Sequence, residues 1–127
     1  MQQLKFIILP GSYSLCRLAA NEQIPAWIFS SSFYTVSRSA DELSVICESQ
    51  YVPENIQQSS QWKLLKIDAV LDLSLTGITA RFSKPLADAG INLCVIATFD
   101  TDYVMVKEEK IAAAIASLQS AGFAVVG

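Results

Sequence analysis

Apolar residues fall in short runs along most of the chain, and the spacing inside each run decides the element it predicts. WKLLKIDAVLDL, residues 62–73, puts Leu65, Ile67, Ala69 and Leu71 on one face at a period of two, which predicts a long strand and then a turn at Ser74–Thr76. In TGITARFSKPLADAG the apolar residues Ile78, Phe82, Leu86 and Ala89 recur at helical spacing. Thr76 stands where it can cap the first turn, and Gly90 where a left-handed C-terminal residue belongs. Pro85 lies inside that helix, where the missing backbone donor costs on the order of 3 kcal/mol, so a kink is expected between Arg81 and Pro85. INLCVIATF and DYVMV follow as two strands around a short turn. KEEKIAAAIASLQSAGF predicts a second helix, with Ile111, Ile115 and Leu118 on one face, Glu108 and Glu109 near its positive end and Gly122 as its stop. FAVV closes the series as a last strand.

Strand, helix, strand, strand, helix, strand is the split βαβ arrangement of a ferredoxin-like α+β fold. Leu93, Val95 and Ala97 alternate with Cys94 and Ile96, so the strand that carries them is apolar on both faces, and a single unit with both helices on one side cannot cover the second. Residues 1–61 read as a shortened copy of the same unit. YSLCRLA, FYTVSRS and ELSVICES are strand-like, IPAWIFSS is a candidate short helix, and VPENIQQSS occupies the place of the second helix. The predicted division is therefore a shortened N-terminal unit over 1–61 and a full unit over 62–127. The closest internal correspondence sets YTVSRSADELSVICES beside LCVIATFDTDYVMVKE: in each, an apolar strand enters an acidic turn, and a second apolar strand leaves it.

Composition narrows the function. With 127 residues, 52% of them hydrophobic and 17% charged, the chain can bury one ordinary core or two very small ones without staples. A mean hydropathy of +0.38 is high for this size, yet no apolar run approaches the roughly 18 residues of a membrane span. The excess apolar surface is expected at a subunit interface, and the expected assembly is a homodimer. Nine Lys and Arg residues are scattered against twelve Asp and Glu, leaving no basic stripe for a phosphate backbone, so neither nucleic acid nor membrane is an expected partner. The apolar run in MQQLKFIILPG is too short for a signal peptide's core, which points to the cytoplasm. Cys16, Cys47 and Cys94 stand singly without metal-ligand spacing and read as small buried hydrophobes. The absence of histidine removes Ser–His and Cys–His nucleophiles and the commonest general base. A small enzyme would have to use Asp102 or Asp68 as its base. Acid pairs with no metal cluster or phosphate loop name no reaction, so no catalysis, metal or cofactor is expected.

One cluster holds chemistry. In IATFDTDYVMV, Thr98, Phe99, Asp100, Thr101 and Asp102 bring hydroxyls, carboxylates and an aromatic ring to a hairpin turn. Across from it, the first turn of the 76–90 helix offers free N–H groups and a partial positive charge that suit a carboxylate, and Gly77 has no side chain to block its approach. Asp100 or Asp102 can supply the carboxylate that an α-ammonium needs, and Phe99 can cover an aliphatic or cationic chain. The same residues also suffice to close a hairpin, because Asp and Thr side chains bond nearby backbone. The sequence leaves open which acid faces a ligand.

DLSLTGITARFSKPLADAGINLCVIATFDTDYVMV, with Gly77 at the first strand-to-helix junction and Ala89-Gly90-Ile91 entering the next strand, resembles the ACT domain. Together with IPAWIFSSSFYTVSRSADELSVICES it resembles the small bacterial paired-ACT proteins related to the CASTOR arginine sensors and, more distantly, the regulatory part of aspartate kinase. The resemblance runs from Leu4 to Val125. It implies an amino-acid-binding regulatory module that pairs side by side with another unit, holds a free amino acid at their junction and communicates with a protein partner. The expected ligand-binding residues are Thr76, Gly77, Ile78, Thr98, Phe99, Asp100 and Asp102. The alternative is a structural dimerisation module with no ligand.

Overall fold

In the computed structural model, which describes residues 3–127, the strands in chain order are β1 (Lys5–Ile8), β2 (Tyr13–Leu18), β3 (Thr35–Arg38), β4 (Leu43–Glu48), β5 (Gln57–Ile67), β6 (Leu93–Ala97), β7 (Asp102–Lys107) and β8 (Ala124–Val126). The helices are α1 (Ile78–Asp88) and α2 (Ile111–Ser120). The chain forms two units: one joins the segment up to Pro10 to Lys63–Gly127, and the other is Gly11–Trp62.

The Gly11–Trp62 unit orders its strands β3-β4-β2 and then the first half of β5, with antiparallel pairing throughout. That is the ferredoxin-like order with both helices reduced to single 3-10 turns, Ala26–Ser30 and Ser49–Tyr51. Short helices nucleate poorly, and Pro25 and Pro53 remove backbone donors beside both turns. VPENIQQSS therefore supplies no helix. Gln57 to Gln61 are already strand, and their exposure alternates with the pleat. The core is Cys16, Ile28, Leu43, Val45 and Cys47. A hydrogen-bonded contact with Cys16, reinforced by burial, pushes the Cys47 thiol up. Both thiols are buried and free, as the sequence suggested.

The other unit orders its strands β6-β7, the second half of β5, β1 and β8. Without β1 this is the ferredoxin-like arrangement of β5, α1, β6, β7, α2 and β8. β1 enters between the first and last strands, antiparallel to β5 with Phe6 opposite Ile67 and parallel to β8 with Phe6 opposite Val125. The predicted boundary at 61/62 therefore misplaces residues 3–10. KFII belongs with the C-terminal strands because two of them supply its ladder bonds. Both helices pack one face of the sheet, where Phe82, Leu86, Ala114 and Leu118 meet Leu65, Ile67, Val104 and Val106. Phe6 lies edge-on to Phe82 at 5.7 Å and tilted to Phe123 at 5.2 Å, so the inserted strand supplies the centre of this core.

Two local expectations change, those for the strand's bounds and for the Thr76 cap. The predicted strand 62–73 begins at Gln57 and ends at Ile67, where Ala69 N–H turns back onto the Ile67 carbonyl at 3.0 Å. Ala69 and Leu71 still pack against the core. α1 stays helical through Pro85, and the Ser117 hydroxyl donates to the Pro85 carbonyl at 2.9 Å, tying α1 to α2. Thr76 does not cap α1. Gly77 occupies that position with φ of 79°, a conformation that suits glycine, and no side chain caps the first turn. α2 follows a 3-10 turn at Glu108–Lys110, and its fully buried face is Ala114 and Leu118, with Ile111 and Ile115 half-buried.

Candidate functional site

β5 ends at Ile67, α1 begins at Ile78, and the residues between them face the hairpin turn that joins β6 to β7. The turn is closed by its own residues. Thr98 N–H donates to the Thr101 carbonyl at 2.9 Å, the Thr98 hydroxyl donates to the same oxygen at 3.0 Å, and Thr101 N–H donates back to that hydroxyl at 3.3 Å. Ser39 plays the same part in the β3–β4 turn: its N–H reaches the Glu42 carbonyl at 2.9 Å, and its hydroxyl accepts from Glu42 N–H at 3.3 Å. The internal correspondence read from the sequence thus extends to the bonding of the turns.

Two bonds fix the turn to the connection. Thr101, only 4% exposed, donates its hydroxyl to the Ile67 carbonyl at 2.9 Å, and Leu71 N–H donates to the Asp100 carbonyl at 2.6 Å. Between the two segments lies a cavity of about 330 Å³. One side carries Gly77 and Ile78 with the first residues of α1, and the other carries Thr98, Phe99 and Asp102. Arg81 N–H is the first helical donor, bonded to the Gly77 carbonyl at 3.1 Å, so the amides of Ile78, Thr79 and Ala80 are the ones a helix leaves unbonded. Asp102 pairs with Ala97 in the β6–β7 ladder and shares the face of Val104, toward the helices.

Of the seven residues expected at a ligand, five line this cavity: Gly77, Ile78, Thr98, Phe99 and Asp102. Thr76 and Asp100 do not. Thr76 faces a neighbouring cavity, and Asp100 lines a separate one of about 240 Å³ with Lys66 and Tyr103. Sequence reasoning missed Leu71, Asp72, Leu73 and Leu75, which complete the wall because the strand ends early and the chain doubles past the helix. The run of alternate leucines in LDLSL was the available signal. The Asp72 carboxylate accepts from the Ser74 hydroxyl at 2.7 Å and from Ser74 N–H at 2.8 Å, which holds its acid below the usual carboxylate range. Thr101 was noticed within the cluster, but its role is structural. Among the described residues no group of three or more His, Cys, Asp or Glu side chains gathers as metal ligands would.

The fold and this cavity define a class, an α+β fold in which a ferredoxin-like unit presents a strand-to-helix loop opposite a hairpin turn. The chain belongs to the ACT-domain family: the ACT-domain family model matches residues 58–120, and a second model, of an N-terminal domain, matches residues 11–55. A solved protein of Agobacterium tumefaciens is 31% identical, with 100% of this chain and 96% of that one covered and a TM-score of 0.93. A Vibrio cholerae protein of unknown function is 22% identical over 94% of this chain and 91% of its own, at a TM-score of 0.76. The regulatory subunit of aspartate kinase from Thermus flavus shares the fold at 11% identity, covering 94% of this chain and 99% of the subunit, with a TM-score of 0.68. No curated protein sequence matches the chain significantly.

Proposed function

We propose that the protein is a regulatory module without catalytic activity that binds a free amino acid in the cavity between the β5–α1 connection and the β6–β7 turn. The observation that carries this reading is the pairing of opposite recognition chemistries across one cavity. Unbonded amides at the start of α1 suit an α-carboxylate, and Asp102 on the facing wall suits an α-ammonium or a basic side chain. Phe99, 79% exposed at the mouth, supplies a surface to lie over the ligand's side chain. Family membership supports a regulatory role, and the aspartate kinase subunit that shares the fold is itself regulatory.

The ligand is held at a junction: two copies pair side by side through this unit, and the partner closes the open mouth. Exposed Phe99, Leu73 and Val95 are apolar surface that such pairing would cover. The complex acts in the cytoplasm and passes the ligand signal to a protein partner. A thermal-shift screen of the free amino acids tests the reading, because a ligand that binds only the folded state at about a hundred times its Kd adds roughly 2.7 kcal/mol of stability. One or a few amino acids should raise the midpoint. A flat response to all of them, with light scattering still giving a dimer, would leave the structural dimerisation module in its place. A monomer at micromolar concentration would remove the junction.

A further inference from the structure

The connection from Asp68 to Gly77 has a second side. There a cavity of about 440 Å³ opens between the connection, Leu4 just before β1, and Arg81 on α1. Leu4, Leu71, Leu75 and Ile78 make its walls apolar, and among the described residues its polar side chains are those of Thr76 and Arg81. Leu4 is part of the buried core, and Leu71 and Ile78 pack against it, so the apolar walls are anchored.

Arg81 is positioned but not neutralised. Its Cζ lies 5.2 Å from the centroid of the Phe123 ring, a contact that orients the guanidinium plane and leaves its N–H donors free. Among the described residues no carboxylate reaches it: Asp88, two turns away, takes Lys84 at 2.9 Å, and Asp68 takes Lys5 at 3.2 Å. A guanidinium keeps its charge at any relevant pH and matches a planar carboxylate in bidentate fashion. Among the described residues no Asp or Glu lines the cavity, so no carboxylate there would pair with the ammonium of a zwitterion. A phosphate dianion would meet one cation among mostly apolar walls.

We infer that this cavity is a site for a small aliphatic monocarboxylate, with the tail among Leu4, Leu71, Leu75 and Ile78 and the carboxylate on Arg81 and the Thr76 hydroxyl. The site lies on the other side of the connection from the Asp102 cavity, with which it shares Leu71, Leu75, Gly77 and Ile78 as a common wall, and it does not depend on that one binding an amino acid. Its chemistry is complementary: one cavity offers an acid to a zwitterion, the other a lone cation to a simple anion.

Sodium hexanoate, titrated into the full chain and followed through backbone amide shifts, is the probe. Saturable shifts are expected at Leu4, Ala69 and Arg81, which line this cavity and not the Asp102 one. Arg81→Met should weaken hexanoate at least tenfold and leave 1-hexanol, which has the same tail and no charge, unchanged. Val70, 80% exposed, lines this cavity and not the Asp102 one, so Val70→Trp should obstruct both probes without disturbing the core. Should Arg81→Met fail to fold, Val70→Trp against wild type still decides the location. The inference is overturned by shifts that do not saturate, by equal hexanoate affinity in wild type and Arg81→Met, by unimpaired hexanoate binding in Val70→Trp, or by shifts confined to Thr98 and Asp102.

Discussion

Thr101→Val is the sharpest test of how the candidate amino-acid site is held together. The substitution replaces a buried hydroxyl by a methyl group of nearly the same volume, so no cavity forms, and the change isolates one hydrogen bond, from Thr101 Oγ1 to the Ile67 carbonyl at 2.9 Å. A buried acceptor stripped of every partner costs about 1–3 kcal/mol. Here the Ile67 carbonyl keeps the Ala69 N–H at 3.0 Å, so it is not orphaned, and the loss should fall near the ordinary net value of about 1 kcal/mol. The effect should be local as well as global, because this bond and the one from Leu71 N–H to Asp100 together pin the connection to the turn. Native-state hydrogen exchange should therefore quicken about fivefold at Ala69 and Leu71, which corresponds to about 1 kcal/mol of easier opening. Thr101→Ser, which keeps the hydroxyl, should lose stability through its missing methyl group without that local acceleration. Unchanged exchange at both amides in Thr101→Val, or the same acceleration in Thr101→Ser, would refute the pinning role.

Asp102→Asn should weaken the amino acid found by thermal shift roughly ten- to a hundredfold, the equivalent of one charge-assisted hydrogen bond of about 1.5–3 kcal/mol, while Asp100→Asn should cost little because Asp100 lines another cavity. Calorimetry on the three chains checks this, and equal affinities would leave the cluster as a turn alone. Gln61 is the non-glycine residue with positive φ among those described, at 66°, where β5 carries an extra residue against β2. Gln61→Gly should relieve roughly 1–2 kcal/mol of left-handed strain, less the glycine's greater entropy loss, for a net gain of about 0.5–1 kcal/mol in urea denaturation. Glu48 accepts the Ser32 N–H at 2.7 Å and the Ser32 hydroxyl at 2.8 Å, and these bonds hold its carboxyl below the usual range. Its contribution is then full above the ordinary glutamate pKa near 4.5 and is lost as pH falls through the lowered value. Wild type should lose urea resistance more steeply than Glu48→Gln between pH 5 and about pH 3, and parallel profiles would contradict the assignment.

Most of the fold was legible where periodicity and local bonding agree. Ile78, Phe82 and Leu86 marked α1, and the turn residues from Thr98 to Asp102 marked the hairpin, because both signals lie within a few residues of each other. Five of the seven candidate site residues share a cavity for the same reason, since they sit at the ends of elements whose order was clear. What escaped was non-local. Nothing within KFII says that its partners are Leu65, Ile67 and Val125. Gln57 to Gln61 looked unlike a strand because half of their side chains face water, and polar residues suffice there. Thr76 looked like a cap because hydroxyls usually are, but the chain reaches α1 through a left-handed residue that only Gly77 adopts cheaply. Asp100 and Asp102 could not be separated while the end of the ladder was unknown.

The position of β1 gives the chain a nested topology. A strand near one end waits, with both edges unpaired, through the synthesis of the whole Gly11–Trp62 unit, and its neighbours β5 and β8 are made much later. The inner unit can therefore fold during translation, whereas the outer one cannot close until the last strand has been made. It follows that the ACT unit is not a contiguous fragment: a piece starting at Trp62 would leave β5 and β8 with a strand-wide gap between them and remove Phe6 from the middle of the core. The cut that respects the fold is an excision. Ile8 lies opposite Leu65 in an antiparallel pair, so a tight turn spliced in place of Gly11–Trp62 would make one hairpin of β1 and β5 and yield a minimal, uninterrupted unit in which each cavity beside the β5–α1 connection could be studied alone.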